Sequence, residues 1–357
     1  MTLGKFHAAL TAGVFLAVSA TAQDAGDTTA PETGAEAASA EGAAAPTISA
    51  FSITPAPDPL SSAAAVYATY QSDVSDIEQH KFENVEGIQE ALTDLGSQNA
   101  EQLSRGWIAY SALVASQSPE FRAAVRDVEG YYGRDFLVRG LQTDSRYARK
   151  INGGTTAVGA ALNAGAADAQ RLQSTAEYVK EQAYSLQAFG WAKGKLGDSG
   201  ALATRLRADS MIGRTARPNM TTALDAPDIG SVLSTAGRSG APSVWNSVSG
   251  SADRLQVVNV SNITSSNSPL SVSVGSEQVA DKIATLAVYR VLGSEDATGV
   301  APVQSAMTEG QTSGCMNMAQ LNLQQCIAAT HQHFEVPFCL GEHALAEIGS
   351  CIAKVSN

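Results

Sequence analysis

Cysteine, histidine and aromatic residues are all scarce in this chain: four Cys, five His and 6% Phe, Trp and Tyr among 357 residues. The motifs that carry common chemistries are missing as well. There is no Gly-x-Ser-x-Gly, no glycine-rich phosphate loop and no His-Glu-x-x-His helix, so nothing points to a serine hydrolase, a nucleotide-binding loop or a zinc protease. No stretch approaches 18 uninterrupted apolar residues, so none past the amino terminus reads as a membrane span and the mature chain is expected to be soluble. Basic residues are outnumbered, 23 against 35 acidic, giving a net charge of −12. A chain this acidic is a poor partner for nucleic acid, and no cofactor is implied.

What is present begins with an export signal. Residues 1–7 are short and carry Lys5; residues 8–20 are apolar, with Leu10, Val14, Phe15, Leu16 and Val18; Ala20-Thr21-Ala22 is a small-x-small cleavage site. That order predicts a secretory signal peptide over 1–22, cut after Ala22, and hence a secreted or periplasmic protein. Residues 23–60 follow with six acids, no Lys or Arg, and abundant Ala, Gly, Thr and Pro. Such a segment buries too little apolar surface to offset its ordering entropy, and reads as a disordered acidic leader.

Helical periodicity then takes over and predicts an all-α bundle across 61–212. Val66, Tyr70, Val74 and Ile77 form one stripe; Val85, Ile88, Leu92 and Leu95 another; Leu103, Trp107, Tyr110 and Val114 a third. Ser118-Pro119-Glu120 is a helix start: a capping hydroxyl, a proline whose missing N–H costs nothing, and an acid at the positive end of the dipole. The clearest pattern is a heptad seam from Val158 through Leu162, Gly165, Ala169, Leu172, Ala176, Val179, Ala183 and Leu186 to Gly190. It predicts one long central helix whose small-residue row, Ala169, Ala176 and Ala183, admits a close partner. That partner is another helix of the bundle or, in an intermolecular coiled coil, a second chain. Asp168 with Arg171 and Glu177 with Lys180 are spaced to pair outside the seam.

Residues 213–278 change character to Gly, Ser, Thr, Asn and Pro, and read as an irregular, linker-like segment. A small β-hairpin is possible there, between Leu255 to Val260 and Leu270 to Val274. The 279–292 stretch is apolar on more than one face, which predicts a buried helix returning to the core. The C-terminal helical region thus spans 279–357.

Three constellations could carry function. Arg134, Arg139, Arg146, Arg149 and Lys150 form the most basic local run, within a region, 134–217, that holds 13 Lys/Arg against 7 Asp/Glu; they could meet an anionic envelope polymer. Glu120 and Glu129 sit among aromatic residues and could serve a cell-wall glycan hydrolase. His331, His333, Cys339, Glu342 and His343 are the densest set of ligand-type residues. Disulfide formation would remove the thiol, and a two-residue spacing turns His331 and His333 to different sides of a helix, so no metal site is expected.

All four cysteines, Cys315, Cys326, Cys339 and Cys351, lie near the end of the chain. An even count in an exported chain reads as disulfides. Cys315 and Cys326 fall on one predicted helix and are separated by about 16 Å of it, too far to bond each other; Cys339 and Cys351 fail likewise on the next helix. Of the two crossed pairings, Cys315–Cys351 with Cys326–Cys339 share one midpoint near residue 333 and suit an antiparallel hairpin. The alternative needs two incompatible registers. In shape the hairpin is similar to the twin-cysteine helical hairpins of the mitochondrial intermembrane space, although the intervals here, ten and eleven residues, exceed that family's nine. The sequence as a whole therefore reads as an exported, non-catalytic envelope protein that binds a protein partner or self-associates through its helices. A glycan hydrolase using Glu120 or Glu129 is the alternative.

Overall fold

The computed structural model describes residues 58–225, 274–293 and 300–356, and they form an all-α protein. Among them there is no strand, only an isolated antiparallel bridge between Lys195 and Gln332. The expected β-hairpin lies outside the described residues, apart from Val274, which opens a helix.

Helix α1 (Pro59–Gln79) begins where the acidic leader was expected to continue. Asp58 caps it by accepting from the Ser61 N–H, and a proline occupies the first turn. α2 (Val85–Gly96) and α3 (Ala100–Ala115) start on Asn84 and Asn99 caps. α4 (Pro119–Tyr132) starts on Ser118, as its sequence predicts, and Gly133, at φ 85°, turns the chain into α5 (Arg134–Thr143). The short α6 (Tyr147–Lys150) leads to the long helix α7 (Gly154–Leu186), 33 residues and about 50 Å long. α8 (Ser199–Ile212) and α9 (Pro218–Asp225) follow, so the segment read as irregular from 213 contains a helix near its start. α10 (Val274–Leu292) begins five residues before the predicted boundary. α11 (Val300–Met307) precedes the terminal hairpin. Its first arm is α12 (Gly310–Ala329); its second runs through α13 (Glu335–Cys339), a π-helical turn (Leu340–Ala346) and α14 (Glu347–Ser356).

The core sits where α1 meets α3 and α7. Leu60, Tyr67, Tyr70, Trp107, Ile108, Tyr110 and Leu113 are fully buried there. Gly106 lets α3 pass so near α1 that a Cβ at this position would stand 2.8 Å from the Ala63 carbonyl oxygen. α10 packs against α3 and α6, and its apolar residues from Val279 to Leu292 are buried. An ion pair between partly buried Arg149 and buried Asp281, at 2.8 Å, joins it to α6.

The heptad seam of α7 is filled by helices of its own chain. Its small-residue row meets the second arm of the hairpin, as close packing requires. A Cβ on Gly341 would come within 2.9 Å of the Ala176 carbonyl oxygen, and one on Gly349 within 3.0 Å of that of Ala169. Wide π-helical winding weakens the regular backbone ladder. Two carbonyls of this turn accept from outside it: Ala344 from the Tyr70 hydroxyl at 2.7 Å, and Ala346 from the Gln173 amide at 2.7 Å. Two disulfides, Cys315–Cys351 and Cys326–Cys339, clamp the arms together, each with a Cα separation of 5.7 Å.

Candidate functional site

The titratable groups with the largest shifts are buried in the bundle. Asp168 of α7, 3% exposed, accepts from the Tyr67 hydroxyl at 2.9 Å. That hydroxyl accepts in turn from the Gln71 amide at 2.7 Å. Gln71 Oε1 accepts from Arg171 Nη1 at 3.2 Å, and Arg171 makes a two-pronged pair with Glu78, at 2.9 and 2.7 Å. Loss of hydration pushes the Asp168 carboxyl up to about 7, with the Tyr67 hydroxyl and the Arg171 charge opposing. Burial, reinforced by the neighbouring Asp168, likewise raises the Tyr67 phenol. A second buried acid, Asp73, takes Arg217 at 2.5 Å on one oxygen and has Arg214 at 3.7 Å from the other. Burial lifts it to about 7, while Arg217 and Arg214 oppose the rise and Asp94 adds to it. Sequence spacing pairs Asp168 with Arg171 outside the seam; both lie inside the protein, where they join α7 to α1. These networks hold helices together, and both carboxylates are buried within them.

An open concavity lies elsewhere, at the tip of the hairpin. A groove of about 310 Å³ runs between the end of α7 and the turn joining the two arms. Ala183, Tyr184, Ala329, Phe334 and Phe338 give it apolar walls; Gln187 and Thr330 are its neutral polar groups, and the Cys326–Cys339 disulfide lies along it. Tyr184 is 62% exposed and Phe338 38%, with their rings edge to face at 6.2 Å. The acid in the lining, Glu335, is turned to the hairpin loop and accepts from the backbone N–H groups of His331 and Gln332. This volume is at the lower end of the range of small-ligand sites.

The structure disperses the residues singled out from sequence. Of the basic run, Arg134 pairs with Glu129 at 2.8 Å, Arg149 with Asp281, and Lys150 with Asp144 at 2.9 Å; Arg146 lies 3.9 Å from Asp144. Arg139 is exposed on α5. The run therefore answers carboxylates of its own chain rather than forming one open cationic patch. Glu120 and Glu129 stand nine positions apart on α4, about 13.5 Å along its axis, beyond the reach of a glycosidase pair. Glu129 also lacks an acid catalyst's raised pKa: what burial would add is outweighed by Arg126 and Arg134, which hold it below the ordinary value.

The ligand-type cluster is likewise taken up by structure. Cys339 is in a disulfide, Glu342 takes Lys180 at 2.9 Å, and His343 lies 3.1 Å from Glu347. Among the described residues no three His, Cys, Asp or Glu side chains gather as a metal site would need. Sequence reasoning missed the groove itself. Its available signal was the four-residue spacing of Phe334 and Phe338, which puts two rings on one helical face beside a cysteine.

The sequence matches no protein-family model, no curated protein and no solved structure. Function must therefore be argued from the chain itself.

Proposed function

We propose that this protein is exported through the signal over residues 1–22 and acts outside the cytoplasm as a non-catalytic binding protein. Its binding surface is the groove at the hairpin tip, which takes an apolar segment of a protein partner. All four cysteines are paired, which fits an oxidising compartment. Among the described residues no helix is long and apolar enough to cross a membrane. The observation that carries the reading is the contrast between sealed carboxylates and open aromatics. The strongly shifted acids are locked in helix-to-helix networks, while Tyr184 and Phe338 stand exposed over an apolar groove. Exposed rings beside an apolar hollow characterise the anchoring centres of protein interfaces.

Site-specific photocrosslinking in the cell envelope tests this. A photoreactive residue at Gln187, inside the groove, should trap a discrete partner, and the adduct should disappear when Tyr184 and Phe338 are both changed to Ala. The same probe at Arg122, exposed on α4, should trap nothing comparable. Equal adducts at both places, or an adduct indifferent to the double substitution, would overturn the reading. Intact mass of exported material should begin at Gln23; a product retaining Met1 would defeat the export assignment.

A further inference from the structure

The groove has an unusual wall for a purely adhesive surface, because both cysteines of one disulfide line it. We infer that the Cys326–Cys339 bond undergoes thiol–disulfide exchange with a cysteine-bearing peptide seated in the groove. This rests on the groove being the binding surface proposed above.

The two disulfides share a burial pattern, and what sets the inner one apart is the groove beside it. Cys326 is partly exposed whereas Cys339 is 1% exposed, so an incoming thiolate reaches Cys326 and the buried sulfur is the leaving group. Exchange depends on such access and on which sulfur is attacked. The exposed rings of Tyr184 and Phe338 would hold apolar residues flanking the attacking cysteine. The charge of Glu335, which would repel a thiolate, is occupied by two loop N–H groups. The outer bond is placed differently. It lies outside the groove, with the Lys354 ammonium 3.8 Å from the Cys315 sulfur, and like the inner bond it pairs a partly exposed cysteine, Cys315, with a buried one, Cys351 at 2%. The outer bond also joins residues 36 apart in sequence, against 13 for the inner one. It therefore keeps both arms tied when the inner bond opens, and exchange does not require unfolding.

The step balances without any further reagent. A peptide thiolate attacks Cys326 Sγ, a mixed disulfide forms, the Cys326–Cys339 bond breaks, and its electron pair goes to Cys339 Sγ, which takes a proton from water. If the peptide carries a second thiol, that thiolate attacks the peptide sulfur of the mixed disulfide and releases Cys326 as a thiolate. One peptide dithiol is oxidised to a disulfide and one protein disulfide is reduced, stoichiometrically.

The test uses the full oxidised chain in glutathione, with acid quenching, alkylation and peptide mapping. A peptide with phenylalanine beside its cysteine should appear on Cys326 and open the inner bond about tenfold faster than the outer one in native buffer. A peptide with phenylalanine beside its cysteine should react faster than one with serine there. The Tyr184→Ala, Phe338→Ala double variant should erase that preference. The Cys326→Ser, Cys339→Ser double variant should stay helical by circular dichroism and form no adduct.

Both bonds opening together, the outer opening first, or reaction only in denaturant would overturn the exchange and leave a structural disulfide. The binding reading fails separately. If the inner bond exchanges with glutathione but Gln187 traps no partner, accessibility stands and the peptide partner does not. If Gln187 traps a partner while the inner bond stays inert, the groove only binds.

Discussion

Helices α1 and α7 lie against each other yet bury their surfaces by different means. α7 is two-sided. Its seam residues, from Val158 to Leu186, face inward, while Gln170, Ser174, Glu177 and Glu181 face solvent. α1 has almost no outer side: from Leu60 to Ile77 only Asp76 is exposed. Yet that enclosed helix contains Thr69, Gln71, Ser72, Asp73 and Ser75, all buried. Each of these has a specific partner: Gln71 and Ser75 take hydrogen bonds from Arg171, Ser72 and Asp73 from Arg217, and Thr69 from the Arg217 backbone N–H. Apolar periodicity specifies α7, whereas α1 depends on polar groups being answered by residues about 100 or more positions away. Buried polar groups are costly unless satisfied, so α1 should be the more fragile of the two.

Acidity gives the sharpest break between them. Asp168 and Asp73, at the two α1 networks, have folded-state pKa values of about 7 against an ordinary 3.8. Between those values the folded chain binds protons that the unfolded chain has released. Folding stability should therefore be highest near pH 4, fall as pH rises through about 7, and level off above. Each acid accounts for on the order of 4 kcal/mol. Urea midpoints from pH 4 to pH 8 measure this. Asp168→Asn, which still accepts from Tyr67, should flatten the slope by its share, and a midpoint rising with pH would reverse the assignment.

Next in size is Arg171→Met. It leaves Glu78 facing α7 without its guanidinium and should cost about 3 kcal/mol, the low end for a broken buried pair because Glu78 is partly exposed. Ala176→Leu tests α7 by the opposite means, overpacking. With Gly341 already against the Ala176 carbonyl, a larger side chain should cost about 1–3 kcal/mol. Chemical denaturation checks both, and a neutral Ala176→Leu would mean the hairpin arm can move away. The smallest effect belongs on the outer face of α7, where Glu177→Ala should stay within about 0.5 kcal/mol.

The same contrast explains what could be read in advance. α7 was legible because heptad spacing is a local signal, and the terminal hairpin because four cysteine positions fit only one antiparallel register. In α1 the stripe Val66, Tyr70, Val74 and Ile77 announced a helix, but nothing local showed that its polar face would also be enclosed. The partners of that face, Asp168, Arg171 and Arg217, come from α7 and from the strap before α9. Asp58 and Pro59 carried a cap-and-proline start that the acidic composition upstream obscured. The groove was the least legible feature, because its walls come from the end of α7 and from the hairpin turn, and only folding brings them together.

The π-helical turn has a rotational consequence. An α-helix advances about 100° per residue, so Cys315 and Cys326, eleven positions apart, are only about 20° out of phase on α12. Cys339 and Cys351 are twelve positions apart, and on an uninterrupted α-helix they would diverge by about 120°. A π turn winds more slowly, and over Leu340–Ala346 it absorbs about one extra residue. That brings Cys351 back into step with Cys339, so both bonds close at the same 5.7 Å Cα separation. The unequal cysteine intervals and the wide turn are thus the same inserted residue, visible first in the numbering and then in the backbone.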